Sequence, residues 1–540
     1  MKSVMTHDFS RAPQANIPRS VLPRNHAYKT TFDAGYLIPF YIDEALPGDT
    51  FNVSATIFAR MTTPIYPIMD NLFMDVHYFF VPLRLVWENF QKFMGETVDP
   101  YDPDTSVEYL TPQIVAPAMG GFTASSLSDY FGLPTEVNSL SVNSFHHRAY
   151  NLIWNEWYRD ENMQDSVVVD TDDGPDDIND YVLLKRGKRH DYFTSCLPWP
   201  QKGPGVELPL GTEAPVIGFG KQTNVFGGAA GPLYESDGTT SNFAGAAAIN
   251  PGGANTNFYV EENPDDAGYP YLRADLSQAA AATINSLRLA FQIQRLYERD
   301  ARGGTRYVEL IRSHFGVISP DARLQRPEYL GGNSARVTLT TVAQTSPKPA
   351  SGTTTPLGSV SAVGTITARN VGFTKSFVEH GVILGILSVR ADLTYQQGLN
   401  RMFSRRTRFD YYWPALAHLG EQEVLNKEIY CQGPGVTNPE GIIDDQVFGY
   451  QERWAEYRYL PSKITGEFRS NFATPLDAWH LSQYFTSLPT LSPTFIEETP
   501  PMSRVLAVSG APDFLMDSFI ECRCARPMPV YSVPGLIDHF

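Results

Sequence analysis

Residues 51–60 read FNVSATIFAR and residues 72–81 read LFMDVHYFFV. In the first stretch Phe51, Val53, Ala55, Ile57 and Ala59 alternate with Asn52, Ser54, Thr56 and Arg60. That is the period-two signature of a strand with one buried face. Phe58 breaks the pattern, placing an aromatic ring on the polar side. In the second stretch Leu72, Met74, Val76, Tyr78 and Phe80 share a face. Asp75 and His77 take the other, and Pro82 is expected to end the strand.

The strand signal returns at the far end of the chain. GVILGILSVRAD at 381–392 is apolar on both faces at first, as a central strand would be, and FLMDSFIECR at 514–523 alternates again. Strands near both ends predict that the first and last segments share one sheet system. Helical spacing lies between them. FHHRAYNLIWNEWY at 145–158 carries Phe145, Ala149, Leu152 and Ile153 on one face. Residues 277–301 carry Leu289, Ala290, Ile293, Leu296 and Tyr297, and Gly303–Gly304 stop the pattern. A short helix is expected over Tyr307–Phe315, ended by Gly316. These stripes read as core rather than chemistry.

Two stretches stand apart. Residues 160–180 hold nine acids. A calcium loop fails there on spacing, because Gly174 stands fifth from Asp170 and no Glu closes position twelve. A solvated acidic loop is expected, paired with KRGKRH at 185–190 or with a neighbouring subunit. Residues 201–270 hold 13 of the 41 glycines and a net charge of −6, with isolated rings at Phe226, Tyr234, Phe243, Phe258 and Tyr259. That reads as a long surface excursion. A smaller Gly/Ser/Thr/Pro stretch at 345–364 predicts a second exposed loop. The whole is read as one β domain with large insertions.

Composition sets the outer bounds. Of 540 residues, 42% are hydrophobic and 12% aromatic, which excludes a disordered chain. Charges, Pro or Gly interrupt every apolar run short of the ~20 residues of a membrane helix. MKSVMTHDFSRAPQ lacks the apolar centre of a secretory signal. Four cysteines are too few for a disulfide framework. Cys522 and Cys524 would share a strand face as buried thiols. The net charge of −17 excludes a polycation that wraps nucleic acid with its whole surface. The first thirty residues differ, with Lys2, Arg11, Arg19, Arg24 and Lys29 against Asp8. Pro13, Pro18 and Pro23 predict an extended basic arm over 1–30, either reaching nucleic acid or simply solvated.

Catalytic patterns are missing. GNSAR at 332–336 lacks the closing Gly of a nucleophile elbow, and neither Gly-Lys pair is followed by Ser or Thr. His146 and His147 are adjacent, so on a helix they point about 100° apart and cannot share an ion. No catalytic residue, metal site or cofactor is expected. One region is dense in another way. YQQGLNRMFSRRTRFDYYWPALAHLG at 395–420 interleaves Arg401, Arg405, Arg406 and Arg408 with Phe403, Phe409, Tyr411, Tyr412 and Trp413. Such a mixture suits stacking on single-stranded bases, and equally a protein interface. The acidic body favours the interface. FGYQERWAEYRYLPSKITGEFR at 448–469, with Trp454, has the same character.

At these blocks the chain resembles the major capsid proteins of gokushoviruses (Gokushovirinae, Microviridae), bacteriophages with circular single-stranded DNA. The resemblance spans nearly the whole length. It is carried by SRAPQANIPRSVL at 10–22, FHHRAYNLIWNEWYRDENMQDSVVVDTDDGPDD at 145–177, KRGKRHDYFTSCLPWPQKG at 185–203, SVRADLTYQQGLNRMFSRRTRFDYYWPALAHLGEQ at 388–422 and FGYQERWAEYRYLPSKITGEFRS at 448–470. It implies an eight-stranded antiparallel jelly roll with long insertions, a structural virion protein closing a T = 1 icosahedral shell around the genome. Residues 1–30 would form the inner basic arm and 31–540 one jelly-roll domain. Within that domain 201–270 would be a variable insertion protruding at the threefold axes, a host-attachment surface. Arg11, Arg19, Arg24 and Lys29 would then lie near the DNA. Arg401, Arg405, Arg406, Arg408, Tyr411, Tyr412, Trp413 and Trp454 would sit at subunit contacts. Implied partners are further copies of the chain, an internal scaffolding protein, a DNA pilot protein, a small basic DNA-binding protein, the single-stranded DNA genome and a host cell-surface receptor. No membrane is implied, and assembly would take place in the host bacterial cytoplasm. The rival reading is a secreted β-sandwich protein that binds or hydrolyses carbohydrate.

Overall fold

The computed structural model describes residues 18–96, 108–206, 284–345, 357–508 and 510–531, with the backbone of a few short strands between 216 and 274. Contacts divide the chain into a body (residues 1–200 and 303–540) and an inserted unit (201–302). In chain order the body's strands begin with β1 (Ser20–Pro23), β2 (His26–Phe32), β3 (Ile38–Ala45), β4 (Thr50–Met61) and β5 (Leu72–Pro82). They continue with β6 (Glu328–Arg336), β7 (Thr338–Ala343), β8 (Val360–Ser376), β9 (Gly381–Ala391), β10 (Glu421–Leu425), β11 (Val447–Glu452) and β12 (Phe514–Arg526). Helix α1 spans Phe145–Ile153, α2 Ile284–Gly303 and α3 Tyr307–Phe315.

Two antiparallel sheets carry the body. One runs β2–β12–β4–β8–β7, with β1 pairing the far half of β12. The other runs β6–β5–β9–β3. The alternation in 51–60 therefore describes β4, whose Phe51, Val53, Ala55, Ile57, Ala59 and Met61 all point into the core. From β12, Phe514, Met516, Ile520, Cys522 and Cys524 join them, and the two thiols share a buried face. The second sheet contributes Tyr78, Phe80, Ile383, Leu387 and Val389. Its strand β9, apolar on both sides, is central between β5 and β3. Its other face packs Phe79, Val382, Leu384 and Ile386 against α1 and Trp87 in a second core. Sheet contact is close enough to dictate composition. A Cβ on Gly372, just past the bulge in β8 and paired with Ser54 of β4, would lie 1.8 Å from the Val53 carbonyl oxygen.

Pro82 ends β5 as expected, as its last residue. Other expectations shift. The extended arm expected over 1–30 is sheet from Ser20, because Ser20–Pro23 and His26–Phe32 bond to β12. In the inserted unit α2 begins at Ile284 and leaves Leu289 and Leu296 exposed, so its stripe is not the core it was read to be. The body's α3 closes at Gly316 with φ of 69°, the left-handed cap that favours glycine.

Candidate functional site

The segment from Asn400 to Leu419 is built of short turns, each fixed by a polar side chain. Asn400 caps the turn Arg401–Phe403, its Oδ1 accepting from the Met402 N–H at 3.0 Å. The Asp410 carboxylate accepts from the N–H groups of Thr407 (2.7 Å) and Arg406 (2.9 Å). Those bonds hold its carboxyl below the usual range. Pro414 opens the turn to Leu416. Behind the segment stand β10 and β11, paired antiparallel.

Trp454 locks this frame from within. It is 3% exposed, in the left-handed backbone region at φ 69°. Its N–H donates to Gln422 Oε1 at 3.1 Å and its indole N–H to the Leu416 carbonyl at 2.8 Å. The Gln422 amide donates to Glu456 at 2.7 Å. Arg405 pairs with the same carboxylate at 3.2 Å and lies 4.2 Å over the Tyr457 ring. Arg401 pairs with Glu428 at 3.1 Å and donates to the Glu423 carbonyl at 2.6 Å. Burial raises the Glu428 carboxyl and Arg401 pulls it part of the way back. Arg401, Arg405 and Trp454 therefore spend their polar atoms inside the chain.

The outward side is different. Phe403 is 71% exposed and Trp413 51%. Phe409, Tyr411, Tyr412, Tyr457, Tyr459, Leu460 and Phe472 are exposed too. Arg406 and Arg408 are also exposed, Arg408 lying 4.8 Å over Phe409. The Trp413 indole donates to the Arg408 carbonyl at 2.9 Å, and Tyr412 meets Trp454 edge-on at 5.7 Å. The result is a broad apolar and aromatic surface held rigid by a buried ionic frame. Surfaces of that kind mark association sites. Sequence reading grouped these residues but did not separate the buried frame from the exposed rings. The acids that make the separation, Glu428 and Glu456, lie outside the 395–420 block.

The basic residues near the start of the chain are placed as follows. Arg11 lies outside the described residues. Arg19 donates to the Gly48 carbonyl at 2.6 Å and to Thr50 Oγ1 at 2.9 Å. Arg24 grips both oxygens of Asp43 at 2.7 Å. Lys29 is exposed, with Asp517 at 3.9 Å. Of the insertion rings, Phe226, Tyr234, Phe243 and Phe258 lie outside the described residues. Tyr259 is described only as backbone, in a strand Tyr259–Glu261.

The acidic loop at 160–180 does not form the first of the two pairings expected of it, that with the basic cluster at 185–190. It folds over Arg148 of α1, which is fully buried. Arg148 donates to Asp176 at 2.7 and 2.5 Å and to the carbonyls of Val86 and Asp172, both at 2.9 Å. Tyr181 adds a bond to Asp176 at 3.0 Å. Burial would raise the Asp176 carboxyl, but Arg148 holds it down. Removing one partner of such a pair strands a buried charge. The basic cluster turns to the second sheet instead. Arg186 donates to Asp75 at 2.7 Å, Arg390 Nε lies 2.8 Å from the same carboxylate, and Arg189 meets Asp392 at 3.3 Å. Burial, then Arg186, pushes His77 down to about 4. Among the described residues no group of three or more His, Cys, Asp or Glu is placed to hold a metal ion.

Comparison with known proteins gives a consistent answer. The family described as capsid protein (F protein) matches residues 10–536. The chain is 46% identical to capsid protein VP1 of Bdellovibrio phage phiMH2K, over 99% of this chain and 98% of the relative. It is 45% identical to capsid protein VP1 of Chlamydia phage 1, over 99% and 98%. It is 37% identical to capsid protein VP1 of Spiroplasma virus 4, over 98% and 97%.

Proposed function

The chain belongs to the capsid protein (F protein) family, and from that membership we propose how it builds its shell. It is a structural, non-enzymatic protein of the virion. Its body is an eight-stranded jelly roll. The strand order supports this: β2, β12, β4 and β8 interleave first and last strands in one sheet, and β3, β9, β5 and β6 do so in the other. That is the arrangement produced when two Greek keys wrap together. Copies assemble into a T = 1 shell around a circular single-stranded DNA genome, with the 201–270 insertion protruding at the threefold axes as the host-attachment surface. The proposal extends to an internal scaffolding protein, a DNA pilot protein, a small basic DNA-binding protein and a host receptor as partners.

The exposed rings around Tyr411 and Trp413 carry the assembly reading, because a folded body exposes so many large rings together only where another surface covers them. Tyr411, Tyr412, Trp413, Arg406 and Arg408 make the contact. Arg401, Arg405 and Trp454 hold it in shape. Replacing Tyr411 and Trp413 together by Ala tests this. The expected product is a folded subunit with an unchanged unfolding midpoint that no longer closes shells in negative-stain micrographs. Normal shell yield from the double variant would refute it.

A further inference from the structure

The outer face of the first sheet carries two aromatic rings that sheet formation leaves outside. Phe58 on β4 is 49% exposed and Phe519 on β12 is 47% exposed, while Ile57, Ala59, Ser518 and Ile520 beside them are buried. Phe58 stands opposite Asp517 and Phe519 opposite Thr56. The two rings are therefore diagonal neighbours on adjacent strands, a spacing of about 7–8 Å that large side chains bridge.

Around them the face is basic. Lys29 on β2 is opposite Asp517, Arg60 is opposite Leu515 and Arg523 is opposite Asn52. Arg369 stands at the bulge of β8, next to the β4 segment that carries Thr56. All four cations are exposed, and Arg60, Arg369 and Arg523 form no ion pair among the described residues. Only Asp517 and Glu521 oppose them on the neighbouring β12 positions. A net positive patch on a chain of charge −17 is a local departure from the rest of the molecule. Thr31, Thr56 and Thr367 complete the face, all exposed. Leu515, diagonal to Phe58 on β12, is the one further exposed apolar side chain at these β4 and β12 positions, and hydroxyls and charges make up the rest.

We propose that this face binds single-stranded nucleic acid, with successive bases stacked on Phe58 and Phe519 and phosphates held by Lys29, Arg60, Arg369 and Arg523. The inference rests on the capsid reading and moves the nucleic-acid contact from the chain terminus to the sheet. Arg19 and Arg24 are committed to Gly48, Thr50 and Asp43, whereas the sheet offers rings and cations together, the combination that holds single strands without regard to sequence.

The test is fluorescence anisotropy of labelled dT12 with the purified full-length subunit. Phe58→Ala and Phe519→Ala should each weaken binding about tenfold, as loss of one stacked base does, and Phe58→Trp should retain it. Four phosphate contacts predict a log–log salt slope of about −3, and Arg369→Gln should reduce it by about 0.7. Shell formation by electron microscopy is scored on the same variants. Shells with lowered dT12 affinity support the proposal. Unchanged affinity in the Phe58→Ala/Phe519→Ala variant overturns it whether or not shells form. Loss of shells with unchanged affinity would assign the face to contact between copies.

Discussion

His147 shows how a single residue ties the fold to pH. Its Nε2 lies 3.0 Å from Ser128 Oγ, and the ring is almost wholly buried beside Phe131 and Tyr181. Burial, then His146, pushes its pKa down to about 3. The folded state thus refuses a proton that the unfolded chain accepts near pH 6.5. Its contribution is complete above about pH 6.5 and falls by about 1.4 kcal/mol per pH unit below, reaching a loss of about 2 kcal/mol at pH 5. Urea unfolding at pH 7 and pH 5 checks this: His147→Gln should be less stable at pH 7 yet show a flatter dependence on pH. An identical slope in wild type and variant would contradict it. Neither His147 nor its neighbour Arg148 was legible as a buried polar residue in FHHRAYNLIW, where both look like the wet side of an amphipathic helix. Their partners come from Ser128 and from Asp176, and a helical period carries no record of a loop that folds back.

Elements were the most legible scale. The alternation in 51–60 and 514–523 and the apolar run at 381–391 announced β4, β12 and β9, because one-sided and two-sided burial leave different periods in the sequence. Strands β1 and β2 were not seen. SVLP and HAYKTTF alternate weakly, since β1 and β2 lie at the sheet edge with one face in water. The distinction has a consequence for the chain's start. Deleting residues 1–17 removes no described strand and should leave the unfolding midpoint unchanged. Deleting 1–30 removes β1 and most of β2, strips β12 of hydrogen-bond partners and bares an edge open to aggregation. The shorter truncation should stay soluble and the longer one should precipitate or melt earlier in a thermal scan. Equal midpoints would show that the sheet does not need its first two strands.

At the scale of the whole molecule, sequence blocks identified the family but not the sheet order, because pairing β12 between β2 and β4 joins positions almost 500 residues apart. The site was half legible for the same reason. The Arg/aromatic block at 395–420 could be read directly, but only the fold shows that Glu456 and Glu428 draw Arg405 and Arg401 inward and leave Tyr411 and Trp413 facing out. The account therefore depends on what meets those rings in the particle. Cryo-electron microscopy of the purified virion measures it directly. A closed T = 1 shell with Phe403, Tyr411 and Trp413 buried against a neighbouring subunit is the predicted result. A shell whose subunit contacts leave that surface in solvent would contradict it.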